Sequence, residues 1–132
     1  MSIEILSPGG SLDQKLACAA TSIFDTLKSF PKDAHLNIGL CGGRSVVGLL
    51  GAIQAESKNQ PRELFERIEF FMVDERVVPL QDPQSNFGGL KVLLFDELIR
   101  EGFIQERQLH PFEATRATAS KECARYLEEL NA

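Results

Sequence analysis

Apolar residues recur at helical spacing over four stretches of the chain, and two short apolar runs between them read as strands. Leu12, Leu16, Ala19, Ile23, Leu27 and Phe30 share one helical face, so this helix buries a side. Ser11 and Gln14 stand before it at the spacing of a capping box, and Pro31 closes it. Residues 35–40 form a strand candidate that runs straight into Cys41-Gly42-Gly43, after which Val46, Val47, Leu49, Leu50 and Ile53 continue as a helix. A polar stretch, residues 56–60, leads to Pro61, which suits the first turn of a short helix. Residues 68–73 are a mostly apolar run with aromatic and β-branched side chains, the pattern of a strand buried on both faces. A proline-containing loop over residues 74–84 follows, and Phe87, Leu90, Leu93 and Leu94 mark the next helix. After an irregular stretch through His110-Pro111-Phe112, a last helix carries Ala119, Cys123, Tyr126, Leu127 and Leu130 on one face. Near the start, Ile3 to Leu6 alternate weakly as a short edge strand ended by Pro8-Gly9-Gly10.

Strands alternating with helices predict an α/β fold: a doubly wound, mainly parallel, Rossmann-like sheet with helices on both faces. Two strong strands and one weak one are few for such a sheet, and the last helix needs a further surface to cover its apolar side. The architecture reads as unfinished, a single domain part over residues 1–132. The unfilled sheet edge and the uncovered helix face predict self-association or a companion chain.

Composition narrows the function. Hydrophobic residues make up 43% and charged residues 25% of the 132, which is globular composition. The net charge of −5 argues against general binding to nucleic acid or anionic membrane, both of which need a basic surface. An acidic protein can still hold an anion in a local pocket of backbone N–H groups and arginines. No apolar run approaches the roughly 20 residues that span a bilayer, and the N-terminus lacks the basic start of a signal peptide. Cys18, Cys41 and Cys123 are odd in number and too dispersed for a metal cluster, so a reduced, cytoplasmic setting without metal or cofactor is expected. Cys18 and Cys123 lie on apolar helix faces and are expected in the core.

Three places carry candidate chemistry. In Leu40-Cys41-Gly42-Gly43-Arg44-Ser45, two glycines allow close backbone approach and the following helix presents unpaired N–H groups and a positive dipole end. Arg44 adds charge and Ser45 a hydroxyl, which together make a phosphate cradle; a tight turn in which the glycines only relieve strain is the structural alternative. At the end of the buried strand, Asp74 and Arg76 stand two residues apart and in an extended segment face the same side, where they can orient a polar substrate and stabilise developing negative charge. A salt bridge pinning the loop would explain the same pair. In Asp82-Pro83-Gln84-Ser85-Asn86-Phe87-Gly88, Ser85 or Asn86 suits the cap of the next helix.

Taken in order, these segments resemble the 6-phosphogluconolactonase and glucosamine-6-phosphate isomerase superfamily. Leu-Cys-Gly-Gly-Arg-Ser is similar to its Ser-Gly-Gly-(Ser/Arg)-Thr-Pro loop, and Val73-Asp74-Glu75-Arg76-Val77-Val78-Pro79 followed by Asp82 to Gly88 is similar to its Asp-Glu-Arg-x-Val-Pro…Ser-Asn-Tyr-Gly signature. The resemblance runs from the first helix to the last residue, and Arg76 favours the lactonase branch, since the isomerase branch usually has tyrosine there. It implies hydrolysis of 6-phospho-D-glucono-1,5-lactone to 6-phosphogluconate in the oxidative pentose phosphate pathway. It also implies that Gly42, Gly43, Arg44 and Ser45 contact the sugar phosphate, with Ser85 and Asn86 beside them. Asp74 would orient the lactone and Arg76 would stabilise charge. Cys41, Ser45-Val46 and Phe87 stand where the family has Ser, Thr-Pro and Tyr. The family's later Gly-x-Asp-Gly-His segment, whose histidine is thought to activate water, has no counterpart in these residues, so the chain corresponds to an N-terminal half expected to be inactive alone. His35 and His110 read as surface or loop histidines.

Other readings remain open at this level. One is a glucosamine-6-phosphate isomerase or deaminase, with the residue at Asp74 shuttling a proton. Another is a non-catalytic sugar-phosphate-binding fragment. A third is an α/β-hydrolase in which Gly39-Leu40-Cys41-Gly42-Gly43 forms a nucleophile elbow around Cys41.

Overall fold

A computed structural model describes residues 9–115 and 117–132. The expected edge strand of Ile3 to Leu6 lies outside the described residues. Helix α1, Leu12–Ser29, begins at an N-cap Ser11 whose hydroxyl accepts from the Gln14 amide while the Gln14 side chain accepts from the Ser11 amide, the reciprocal capping box expected from the sequence. Strand β1, Leu36–Leu40, leads through the glycine turn and one 3₁₀ turn, Arg44–Val46, into α2, Val47–Ser57. Pro61 stands immediately before the one-turn helix α3, Arg62–Phe65, and β2 follows as Ile68–Met72.

After the loop, α4 (Asn86–Leu90), a π-helical turn (Lys91–Phe95) and α5 (Asp96–Arg100) form one continuous helical run. The Asp96 amide reaches back to the Lys91 carbonyl, and the Lys91 ammonium bridges Asp96 at 2.9 Å and Glu106 at 2.7 Å. A 3₁₀ turn, Glu106–Gln108, then opens β3, Leu109–His110, a two-residue strand where the sequence predicts only irregular chain. Helix α6, Ala119–Leu130, completes the described chain.

The three described strands form one parallel sheet in the order β1-β2-β3. Ile68, Phe70 and Met72 share one face of β2 and enter the main core with Phe24, Leu50, Leu90 and Leu94 from α1, α2 and the α4–α5 run. Glu69 and Phe71 face the opposite side, where the Phe71 ring meets Tyr126 of α6 edge-on at 5.6 Å. Helices therefore cover both faces of a parallel sheet, as the alternating pattern predicts. Two details of the expected core differ. The buried centre of α1 is Ala20 and Phe24, while Leu12 at its first position and Phe30 at its C-cap are exposed. On α6 the covered face turns on Tyr126, so Cys123, Leu127 and Leu130 are exposed and Cys123 is not a core residue; Cys18 is half-buried.

Candidate functional site

Leu40 and Met72 are the paired last residues of β1 and β2, so the segments after them leave the sheet together at the carboxyl ends of parallel strands, where open α/β sheets bind ligands. After Leu40 the chain must turn sharply into α2. Gly43 makes the turn with φ 99° and ψ 173°, a region that belongs almost wholly to glycine. Gly42 lies directly against the Asn86 side chain. No side chain caps the 3₁₀ turn that follows, so its leading N–H groups are not covered from within the protein by a capping side chain.

The backbone bends at Val73 and Asp74, and the corner is fixed by Glu75, which sequence reasoning overlooked. One Glu75 carboxylate oxygen accepts from the amides of Arg76 and Asn86, each at 2.7 Å. The other accepts from the Phe87 amide at 2.8 Å and the Ser85 hydroxyl at 3.1 Å. Ser85 is the N-cap of α4 and its oxygen also accepts from the Gly88 amide at 3.0 Å, so the capping role predicted for it is present. Asn86 is buried, and its side-chain amide donates to the Asp74 carboxylate at 3.0 Å and the Asp74 carbonyl at 3.1 Å.

Gly42, Gly43, Arg44, Arg76, Ser85 and Asn86 meet around one cavity of about 340 Å³ with an apolar floor from Val46, Leu50 and Leu90. Among the described residues, neither the Arg44 nor the Arg76 guanidinium has a carboxylate partner. Ser45 is exposed and does not line this cavity. Asp74 lines a neighbouring cleft of about 260 Å³ with Phe112 and Tyr126. The bend thus puts Asp74 and Arg76 on adjoining cavities joined through Asn86, rather than side by side on an extended strand, and they form no salt bridge.

The histidines lie elsewhere. His35 is exposed just before β1, at the end of the strand away from the cavity. His110 is not a loop histidine: it sits on β3, its ring stacks on Phe71 at 4.3 Å, and its nitrogens stand 2.8 Å from Glu69 and 3.1 Å from Glu129. Its place on a strand and its partial burial in that network, on the α6 face of the sheet, overturn the surface or loop reading. Cys41 borders a cavity of about 390 Å³ lined by hydrocarbon side chains of α1, α2 and the sheet. No histidine or carboxylate lines that cavity, so the thiol–base–acid arrangement of a nucleophile elbow is not assembled there. Among the described residues no group of three or more His, Cys, Asp or Glu is placed to hold a metal, and no helix is long and apolar enough to cross a membrane.

Residues 11–132 match the family model described as glucosamine-6-phosphate isomerases/6-phosphogluconolactonase. A 6-phosphogluconolactonase of Borreliella burgdorferi is 37% identical over 81 residues, which are 61% of this chain and 32% of that protein. A probable 6-phosphogluconolactonase of Schizosaccharomyces pombe is 44% identical over 57 residues, 42% of this chain and 21% of its own. Among solved structures, the 6-phosphogluconolactonase of Trypanosoma brucei superposes with a TM-score of 0.72 at 25% identity, over 94% of this chain and 49% of that one. The Thermotoga maritima 6-phosphogluconolactonase gives a TM-score of 0.68 at 24% identity, over 90% and 49%, a likeness of fold. The chain spans about half the length of these structures, and its alignment with the Borreliella protein spans 32% of that relative.

Proposed function

Because the chain belongs to the glucosamine-6-phosphate isomerase/6-phosphogluconolactonase family, we propose that it binds 6-phospho-D-glucono-1,5-lactone and serves its hydrolysis to 6-phosphogluconate. The observation that carries this reading is the pair of guanidiniums, Arg44 and Arg76, facing one cavity beside an uncapped turn in a chain of net charge −5. In an acidic protein such a concentration of unpaired positive charge and N–H donors suits an anion, and a phosphoryl group matches it in charge and in acceptor number. Gly42, Gly43 and Arg44 hold the phosphoryl group. Ser85 and Asn86 form the facing wall. Arginine rather than tyrosine at position 76, and lactonase names on the relatives, favour the lactonase over the isomerase branch.

Hydrolysis needs a water that attacks the lactone carbonyl and donors for the oxyanion that forms. Asp74 orients the sugar ring at the boundary of the two cavities, and Arg76 stabilises the oxyanion. Neither His35 nor His110 lines the cavity of Arg44 and Arg76, so this stretch supplies binding and electrostatics and the water-activating base comes from outside it. A polypeptide of these 132 residues alone therefore binds the product and does not turn over the lactone. Titration with 6-phosphogluconate, followed by amide NMR, tests the reading: the signals of residues 42–45 and 74–76 move on binding. Unmoved signals in folded protein would sink it.

A further inference from the structure

Glu75 is a negative charge beside a site read as an anion site: it lines the adjoining cleft with Asp74, where electrostatics alone would disfavour it. Its four hydrogen bonds explain its presence. The Asn86 and Phe87 amides are the first two N–H groups of α4, unpaired within the helix, and the Glu75 carboxylate takes both. Ser85 already caps this helix through the Gly88 amide, so Glu75 adds a second, long-range closure between the end of β2 and the start of α4. Of its two remaining bonds, the one from the Ser85 hydroxyl ties it to the capping residue, and the one from the Arg76 amide fixes the backbone on the side of the guanidinium. On the other side Asp74 is held by Asn86, whose own amide Glu75 anchors. One carboxylate thus sets the direction of both flanking residues.

The same contacts set a polarity. Two helical N-termini converge on the cavity, that of α4 and that of the turn leading into α2. Glu75 fills the first with an anion belonging to the protein, while the second has no capping side chain. A phosphoryl group is thereby directed to the Gly42–Arg44 turn, and the remainder of the ligand lies toward Asp74.

We propose that Glu75 is the positioning residue of this site: by occupying the α4 N-terminus it holds Arg76 on the cavity and orients the phosphorylated ligand. The proposal rests on the sugar-phosphate reading given above. Its test uses the sign of a charge effect. Removal of a negative charge beside an anion site by itself tightens anion binding, whereas loss of positioning weakens it.

The full chain is compared with Glu75→Gln and Glu75→Asp by calorimetric titration with 6-phosphogluconate and by amide hydrogen exchange. In Glu75→Gln, 6-phosphogluconate binds at least tenfold more weakly, and the amides of Arg76, Asn86 and Phe87 exchange at least tenfold faster while those of β2 are unchanged. Folded Glu75→Gln with affinity equal to or above that of the wild type overturns the proposal. Should Glu75→Gln fail to fold, Glu75→Asp, one methylene shorter, shows the same two changes at smaller size; wild-type affinity and exchange there overturn it. If the unaltered chain binds no 6-phosphogluconate, the functional reading fails on its own. The exchange measurement then decides the positioning role: faster exchange at Arg76 and Asn86 supports it, and unchanged exchange refutes it.

Discussion

The Tyr126 hydroxyl bonds both backbone polar groups of Met72, donating to its carbonyl at 3.0 Å and accepting from its amide. The register that pairs Phe70 with Leu109 and Phe71 with His110 would next set Pro111 against Met72. Proline has no N–H to give to a ladder, so β3 stops there and a side chain from α6 replaces the missing partner. Tyr126→Phe keeps the ring contacts and strands two polar groups at the end of the central strand. A loss of about 1–3 kcal/mol is expected from urea unfolding, larger than for an exposed tyrosine. An unchanged urea midpoint would show that water replaces the hydroxyl without penalty.

A Cβ placed on Gly42 would stand 2.5 Å from three atoms of the Asn86 side chain. Asn86 is buried and tied to Asp74, so it has little room to retreat. Gly42→Ala is expected to destabilise the chain by about 1–3 kcal/mol, the range for overpacking, and to weaken 6-phosphogluconate binding by displacing Asn86. Gly43→Ala meets open space but inherits a backbone conformation that side chains avoid, at about 1–3 kcal/mol. Amide shifts separate the two, since only Gly42→Ala perturbs Asp74 and Asn86.

Arg44 and Arg76 approach the cavity from different elements, and each is expected to contribute a charge-assisted hydrogen bond worth about 1.5–3 kcal/mol. Arg44→Ala and Arg76→Ala should each reduce 6-phosphogluconate affinity roughly tenfold or more by calorimetry. Arg44→Ala should leave the weak binding of D-gluconate, which lacks the phosphoryl group, unaltered. Equal losses for both ligands would place Arg44 on the sugar rather than the phosphate.

The parts of this fold that were legible in sequence are those written in local spacing. Ser11 and Gln14 lie three residues apart and form their capping box as read, and the apolar run at Ile68 is the central strand. The glycine turn and the Asp-Glu-Arg corner were also found, because each follows directly on a strand. The anchoring role of Glu75 within that corner is not legible, because three of its four donors, on Ser85, Asn86 and Phe87, lie ten to twelve residues later and a helix capped from so far away leaves no periodic trace. Strand β3 was hidden for a related reason: two residues carry no alternation, and pairing with β2 depends on contacts distant in sequence.

Gln108 shows what holds that short strand in place. Buried beside β3, its side-chain amide donates to the Phe65 and Ile68 carbonyls, both at 2.7 Å, and its oxygen accepts from the Gln105 amide at 2.8 Å. Gln108→Leu fills a similar volume but takes this partner from two buried carbonyls, those of Phe65 and Ile68, and from the part-buried Gln105 amide. The expected destabilisation is about 3 kcal/mol or more by urea unfolding, with faster exchange at Leu109 and His110. A near-neutral result would mean that the loop between α3 and β2 finds other donors.

Helix α6 is fastened by ionised groups as well as by Tyr126, and these make its docking sensitive to acid. Arg125 bonds Glu122 and Glu129 and donates to the Pro111 carbonyl at 2.9 Å, while Glu122 also accepts from the Glu113 amide at 3.0 Å. The Arg125 hydrogen bond, helped by that amide, holds the Glu122 carboxyl below the usual glutamate range. A carboxyl with a lowered folded value resists a proton that the unfolded chain accepts. Its stabilisation is therefore complete above the ordinary value of about 4.3 and is lost as pH falls through the lowered one. Tyr126 is the only tyrosine in a chain without tryptophan, so its emission reports the docking of α6 directly. On acidification a change in that emission is expected below the ordinary glutamate range. Glu122→Gln should lower stability at neutral pH by about 1 kcal/mol and flatten the acid dependence. Superimposable acid profiles for Glu122→Gln and the unaltered chain would show that another carboxylate governs the transition.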